Sequence, residues 1–76
     1  MIVKVERRGC VNYYEGDHVG FHSHIKVPTA DGNELDIFRV IVEGRKNCIE
    51  IELEYNEDVR IFLMNDQGKT IDSVYI

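Results

Sequence analysis

The stretch CIEIELEY, residues 48–55, alternates strictly between apolar and acidic side chains. The apolar set is Ile49, Ile51, Leu53 and Tyr55, and the acidic set is Glu50, Glu52 and Glu54. Successive side chains of a β-strand point to opposite faces, so a period of two predicts a strand with one buried face and one wet face. We therefore expect the three glutamates to form an acidic row in contact with solvent.

The same pattern, less regular, runs through the rest of the chain. Further strands are predicted at residues 2–8, 19–27, 34–43, 59–64 and 70–76, separated by short turns rich in Gly, Asn and Asp. About six short strands joined in this way predict an all-β fold, a small antiparallel meander that forms a rolled sheet or an SH3-like or OB-like barrel. Residues 10–17, bracketed by Gly9 and Gly16, are too few for a helix and are expected to be a loop.

Composition indicates one small globular domain spanning residues 1–76. The chain is 43% hydrophobic and 30% charged, which is typical of folded rather than disordered proteins. A chain of this length buries a thin core, and residues 34–43 and 59–64 are apolar on both strand faces. Either the sheet closes on itself or a second copy covers the extra face, so a homodimer is a possibility.

Targeting signals are not evident in the sequence. No apolar run approaches the roughly 20 residues needed to cross a membrane, and charged residues such as Lys4 and Glu6 interrupt the apolar residues at the N-terminus. We therefore expect a cytoplasmic protein without a membrane partner. Cys10 and Cys48 are then expected to be reduced thiols, although the sequence alone leaves open that they pair.

The charge distribution bears on the class of partner. The formal net charge is −5, and residues 27–76 hold eleven acidic and five basic side chains. Such a surface repels phosphate, which makes direct binding of nucleic acid unlikely and favours a basic protein partner.

Candidate contact residues follow from the acidic row and from two adjacent tyrosines. Residues of the neighbouring predicted strand are expected to extend the row, and one of the tyrosines is expected to anchor a partner. The full candidate set is Glu50, Glu52, Glu54, Glu34, Asp36, Glu43, Tyr13 and Tyr14. Small acidic β-rich proteins that block nucleic-acid-binding grooves are often encoded by phages and mobile elements, so an inhibitor of this kind is the leading hypothesis.

Chemistry-bearing motifs are sparse. The chain has no glycine-rich phosphate loop and no nucleophile elbow, so we expect a non-enzymatic protein with no catalytic residue and no cofactor. All three histidines lie in DHVGFHSH, residues 17–24. Strand parity predicts that His22 and His24 share the polar face, where a His-x-His pair can supply two of the three or more ligands that zinc requires.

The histidines have a second interpretation as a wet, titratable patch. Histidine side chains gain charge between pH 5 and 8. Protonation of all three would remove three of the five net negative charges. Binding of a basic partner is therefore expected to weaken in acid, and a metal site at His22 and His24 is the alternative.

The start of the chain, MIVKVERRGCVNYYEGDHV, loosely resembles the carbon storage regulator family. Arg7, Arg8, Gly9 and then Gly16, Asp17 and Val19 follow the order of that family's N-terminal motif with spacing off by one. The resemblance implies a β-rich RNA-binding homodimer as an alternative function. Residues 20–43 have no counterpart in that family, and Leu63 and Met64 stand where its RNA-contacting arginine would be sought.

Overall fold

The computed structural model describes the whole chain, Met1–Ile76, and is all-β, as the sequence predicts. The strands are β1 (Ile2–Arg7), β2 (Cys10–Glu15), β3 (His18–Pro28), β4 (Glu34–Glu43), β5 (Cys48–Glu54), β6 (Val59–Met64) and β7 (Thr70–Tyr75). No helix is long and apolar enough to span a membrane.

The seven strands form two antiparallel sheets rather than one continuous sheet. Sheet A has four strands in the order β2-β1-β6-β7, and sheet B has three in the order β3-β4-β5. Each sheet B strand pairs with its neighbour in sequence, whereas β6 returns to pair with β1, Ile2 opposite Met64 and Glu6 opposite Arg60. Sheet B is therefore a meander, as predicted. In sheet A, the long-range pairing of β1 with β6 joins the β1–β2 hairpin to the β6–β7 hairpin.

The core is a single apolar layer between the two sheets. Its eight buried members come from both sheets: Val3, Val5, Val59 and Ile61 from sheet A, and Phe38, Val40, Val42 and Leu53 from sheet B. Each buried set alternates along its strand, so every strand has an inner side facing this layer and an outer side. We call these the inner and outer faces of each sheet. Neither outer face is covered by a further layer of strands, although one residue on the outer face of sheet B, Ile37, is buried.

Residues 10–15 form strand β2 and not the expected loop. Arg8 and Gly9, with φ of 50° and 78°, join β1 to β2, and Arg7 pairs directly with Cys10. Positive φ at both central residues is the hallmark of the type I′ turn, which favours two-residue β-hairpins. The strand escaped prediction because it lies at the edge of sheet A and only Tyr14 packs against the core, so its sequence lacks clear alternation.

Gly16 occupies the corner where the chain leaves sheet A and enters sheet B. Its N–H donates to the Met1 carbonyl at 3.1 Å, and the next residue, Asp17, donates to the Glu43 carbonyl at 2.7 Å. A Cβ placed on Gly16 would lie 2.7 Å from Val42 Cγ1 and 2.8 Å from the Glu43 carbonyl oxygen. The corner therefore needs a residue without a side chain, because β4 passes too close for any other.

Replacing Gly16 with alanine should destabilise the fold. The added methyl group must displace a core valine and the β4 backbone, and overpacking of this kind costs about 1–3 kcal/mol. For a domain of this size each kcal/mol lowers Tm by roughly 4–8 °C, which thermal denaturation followed by circular dichroism would detect. The matched control is Gly20→Ala, whose Cβ would meet only the exposed His22 ring, at 3.1 Å. Equal Tm values for both variants would contradict the close approach at the corner.

Candidate functional site

The three glutamates of β5 lie on the outer face of sheet B, as the alternation predicts. Glu50, Glu52 and Glu54 are exposed, while Leu53 between them is buried in the core. Glu43 joins them from β4, where it pairs with Cys48 at the end of the row. We call the surface formed by Glu43, Glu50, Glu52 and Glu54 the acidic face.

The acidic face contains one positive charge from its own strands. Arg39 stands opposite Glu52 across the β4–β5 pair, and its guanidinium donates to Glu52 Oε1 at 3.0 Å. Glu50 and Glu54 instead stand opposite Ile41 and Ile37, which offer no counter-ion. The result is a surface with excess negative charge whose carboxylates repeat about every 6.7 Å along β5.

Glu34 and Asp36 do not extend this row. Both share the parity of the core residue Phe38 on β4, so alternation turns them toward the inner side, beyond the end of the apolar layer. Asp36 is also engaged there, with Oδ2 3.0 Å from His24 Nδ1 and 3.5 Å from Lys26 Nζ. Of the residues expected to enlarge the acidic row, only Glu43 lies on the same face.

A β-bulge in β3 overturns the predicted placement of His22 and His24 on one face. His22 pairs with Arg39 and Ile25 pairs with Ile37, so Ser23 and His24 together face a single residue of β4. One extra residue reverses the side-chain alternation of the strand. His22 consequently lies on the outer face of sheet B, whereas His24 turns inward to meet Asp36.

His24 is held in the bulge by two contacts to Tyr55. Its φ of 54° lies in the left-handed region, which histidine adopts more readily than most residues. Its N–H donates to Tyr55 Oη at 3.0 Å, and its ring stacks on the Tyr55 ring with centroids 4.8 Å apart. Tyr55 in turn meets Phe38 edge-on at 6.5 Å. The bulge is thereby tied to the end of the core.

His18 and His22 remain beside the acidic face. Together with Gly20, Ile41 and Glu43 they line a shallow depression on the outer side of sheet B. In the β3–β4 register His18 lies opposite Glu43. His22 lies opposite Arg39, the residue that contacts Glu52. Two of the three histidines therefore share a surface with the glutamates, separated from the β5 row by about 10 Å, the width of two strand spacings.

The structure does not assemble a metal centre. No group of three or more His, Cys, Asp or Glu side chains is placed to hold an ion, and the bulge separates the two histidines proposed as ligands. Cys10 and Cys48 are both free and exposed, so they are not paired with each other.

The two adjacent tyrosines have different environments. Tyr14 is half-buried and packs against the core, whereas Tyr13 is 62% exposed on the outer face of sheet A. Tyr13 therefore lies on the opposite side of the molecule from the acidic face and cannot act in the same contact. Sequence reasoning did not identify the aromatic and basic residues that accompany it there, because period-two patterns in β6 and β7 assign them only to a generic solvent face.

Comparison of the chain with protein-family models, with curated proteins and with solved structures found no match.

The pairing of Asp36 with His24 should make part of the stability dependent on pH. The hydrogen bond from His24, with Lys26 nearby, lowers the pKa of Asp36 below its ordinary value. A depressed carboxyl pKa stabilises the fold above the unfolded-state pKa, and that stabilisation is lost as pH falls through the folded-state pKa. Asp36→Asn should therefore lower the urea midpoint at pH 7 and have a smaller effect at pH 2.5. Glu34→Gln, two residues away on the same side, is the control, and an Asp36→Asn effect independent of pH would contradict the pairing.

Proposed function

We propose that this protein is a small, non-enzymatic binding module whose acidic face occupies a basic surface of another protein, and that it acts as an inhibitor in the cytoplasm. The observation that carries the proposal is the exposure of Glu50, Glu52 and Glu54 on one strand, with Glu43 beside them. Their excess negative charge complements a groove lined with lysine and arginine, and such complementarity speeds association and suppresses wrong partners.

The spacing of the carboxylates supports a nucleic-acid-binding partner in particular. Side chains on one face of a strand repeat about every 6.7 Å, close to the phosphate spacing along a single nucleic-acid strand. A partner groove built to hold successive phosphates can then accept successive carboxylates instead. Binding of this kind would block access of nucleic acid to the partner.

Basic side chains are few on the strand faces of sheet B. Residues 18–55, which contain sheet B, hold seven acidic and four basic side chains. Two of the four basic residues, Arg45 and Lys46, lie in the turn after β4 rather than on a strand face. The stiff sheet presents its carboxylates without the loss of freedom that a flexible acidic tail incurs on binding.

Neutralising the acidic row should abolish capture of the partner. The variant Glu50→Gln/Glu52→Gln/Glu54→Gln keeps the size of each side chain and removes three charges. Immobilised wild-type protein should retain a basic protein from a lysate of the source organism, single-stranded or duplex nucleic acid should compete it off, and the variant should fail to retain it.

The matched control removes three acidic charges elsewhere, through Glu34→Gln/Asp66→Asn/Asp72→Asn. If the control loses the partner as completely as the β5 variant does, net charge rather than the acidic face is responsible. If both variants retain it, the proposal is wrong.

Binding through the acidic face should also weaken in acid. His18 and His22 stand about 10 Å from the β5 row, where two unit charges still interact by about 0.4 kcal/mol in water. Because histidine side chains in general gain positive charge between pH 8 and 5, a basic partner should bind this surface more weakly at pH 5.5 than at pH 7.5.

Replacing both histidines should flatten this dependence, whereas replacing the inward-facing histidine should not. His18→Gln/His22→Gln is the test variant and His24→Gln the control, with affinity measured by biolayer interferometry across the pH range. If the pH dependence of affinity changes only in the His24 variant, it arises from the inward-facing histidine, which contradicts the prediction.

A further inference from the structure

The outer face of sheet A is the second uncovered surface of the molecule, and it differs in character from the acidic face. It carries aromatic and aliphatic side chains interspersed with charges of both signs. By strand pairing its members are Val11, Tyr13 and Glu15 from β2, Ile2, Lys4 and Glu6 from β1, Arg60, Phe62 and Met64 from β6, and Thr70, Ser73 and Tyr75 from β7. We call this surface the aromatic face.

Its cations are arranged around its rings. Lys4 Nζ lies 5.4 Å from the centroid of the Phe62 ring, and the Arg60 guanidinium lies 5.7 Å from that of Tyr75. Tyr75 is 64% exposed, and its hydroxyl donates to Asp58 at the sheet edge. Rings and cations in this arrangement are typical of the desolvated centres of protein interfaces, where aromatic residues and arginine are enriched.

Charge balance restricts what can cover the aromatic face. Its two cations, Lys4 and Arg60, are matched by two anions, Glu6 and Glu15. The molecule as a whole has a net charge of −5, so two copies repel each other when their acidic faces approach. The aromatic face is neutral, so apposing two such faces brings no local excess of like charge together.

We propose that two copies of this chain associate through their aromatic faces, about a twofold axis that lies in the interface and runs along the strands between β1 and β6. Such an axis places β1 of one copy over β6 of the other and keeps each residue at its level along the strand. Sheets packed face to face lie about 10 Å apart with strands nearly aligned, which suits this arrangement.

The strand register makes the face complementary to itself under this axis. Glu6 pairs with Arg60 in β1 and β6, so the axis sets Glu6 of each copy over Arg60 of the other. By the same rule Lys4 meets the Phe62 ring of the other copy, and Ile2 meets its Met64. One ion pair, one cation–π contact and one apolar contact result, and each is formed twice by symmetry.

The alternative twofold axis, across the strands, lacks this complementarity. It would place β1 over β1 and β6 over β6 with their directions reversed. Ile2 would then lie over Glu6, and Met64 over Arg60, so that four charges would be buried against apolar side chains. The register therefore selects the axis that runs along the strands.

The area of the aromatic face determines how tightly we expect the two copies to bind. Four strands about 4.8 Å apart and six residues long cover roughly 400 Å² in plan, at the low end for specific interfaces. We accordingly expect a reversible dimer with a dissociation constant of about 10–100 μM.

Dimerisation would make the proposed inhibitor bivalent, and this consequence rests on the proposed function. With the aromatic faces apposed, the two acidic faces point outward on opposite sides. One dimer could then bridge two basic partners, or two sites of one oligomeric partner, and avidity would strengthen capture without any new contact. Self-association itself does not depend on the role of the acidic face.

The test is a charge-swap cycle followed by sedimentation velocity from about 1 to 500 μM, a range that spans the expected constant. Wild type should shift from monomer to dimer. Glu6→Arg and Arg60→Glu should each weaken association at least about tenfold. Each substitution replaces the two ion pairs across the dimer interface with two pairs of like charges. The double variant Glu6→Arg/Arg60→Glu should recover association to near the wild-type level.

The controls reverse charge away from the aromatic face. Glu34→Arg and Lys46→Glu change the net charge by the same amounts and should leave association unchanged, and circular dichroism confirms that each variant folds. A wild type that stays monomeric at 500 μM, or a double variant that fails to recover, overturns the proposal. So does a monomer that instead binds an oligouridylate ten-mer through the aromatic face, since single-stranded RNA would then be its occupant.

The two proposals fail separately. Neutralising Glu50, Glu52 and Glu54 should leave self-association intact, because these residues lie on the far side of the molecule. Glu6→Arg should still capture the basic partner at a single site. Capture retained by the Glu50, Glu52 and Glu54 variant refutes the acidic face alone, and a wild type that captures its partner but stays monomeric refutes the dimer alone.

Discussion

The structure depends on a single apolar layer that two sheets share. Eight buried residues from four strands make this layer, and each strand contributes to it only through alternate positions. Strict alternation has a second consequence, because the residues between the buried ones must all point away from the layer. Burying Leu53 thus forces Glu52 and Glu54 outward, just as burying Val59 and Ile61 forces Arg60 and Phe62 outward. The acidic face and the aromatic face therefore both follow from the packing of the same core.

The β3 bulge modifies this rule at one point and decides how the histidines are divided. Without the extra residue at Ser23 and His24, all three histidines would lie beside the glutamates. With it, one histidine turns inward, stacks on Tyr55 and pairs with Asp36. Asp36, which its parity on β4 already directs inward, is the partner that this histidine reaches. A single backbone irregularity thus separates residues that contribute to stability from residues available to bind.

The parts of the fold that follow from local alternation could be predicted from the sequence. The strand of residues 48–54 and the outward direction of its glutamates follow from period two alone. The bulge could not be predicted in this way, because VGFHSHIKV alternates as well as any regular strand and the extra residue is visible only through its pairing with β4. Strand β2 was missed for a related reason. Only one residue of this edge strand packs on the core, so its sequence needs little alternation of apolar and polar side chains. The Arg8-Gly9 pair is also not a sequence typical of a hairpin turn. The division into two sheets rests on the long-range pairing of β1 with β6, which no local pattern encodes.

We propose that the acidic face, on the side of the molecule opposite the aromatic face, is the surface that meets a basic partner. The most direct measurement is a titration of ¹⁵N-labelled protein with an arginine-rich ten-residue peptide, followed by amide chemical shifts. Shifts confined to β5, to the outer positions of β4 and to His18 and His22, and absent from β1 and β6, are the predicted result. Shifts centred on Tyr13, Phe62 and Tyr75, or spread evenly over every carboxylate of the chain, would contradict it.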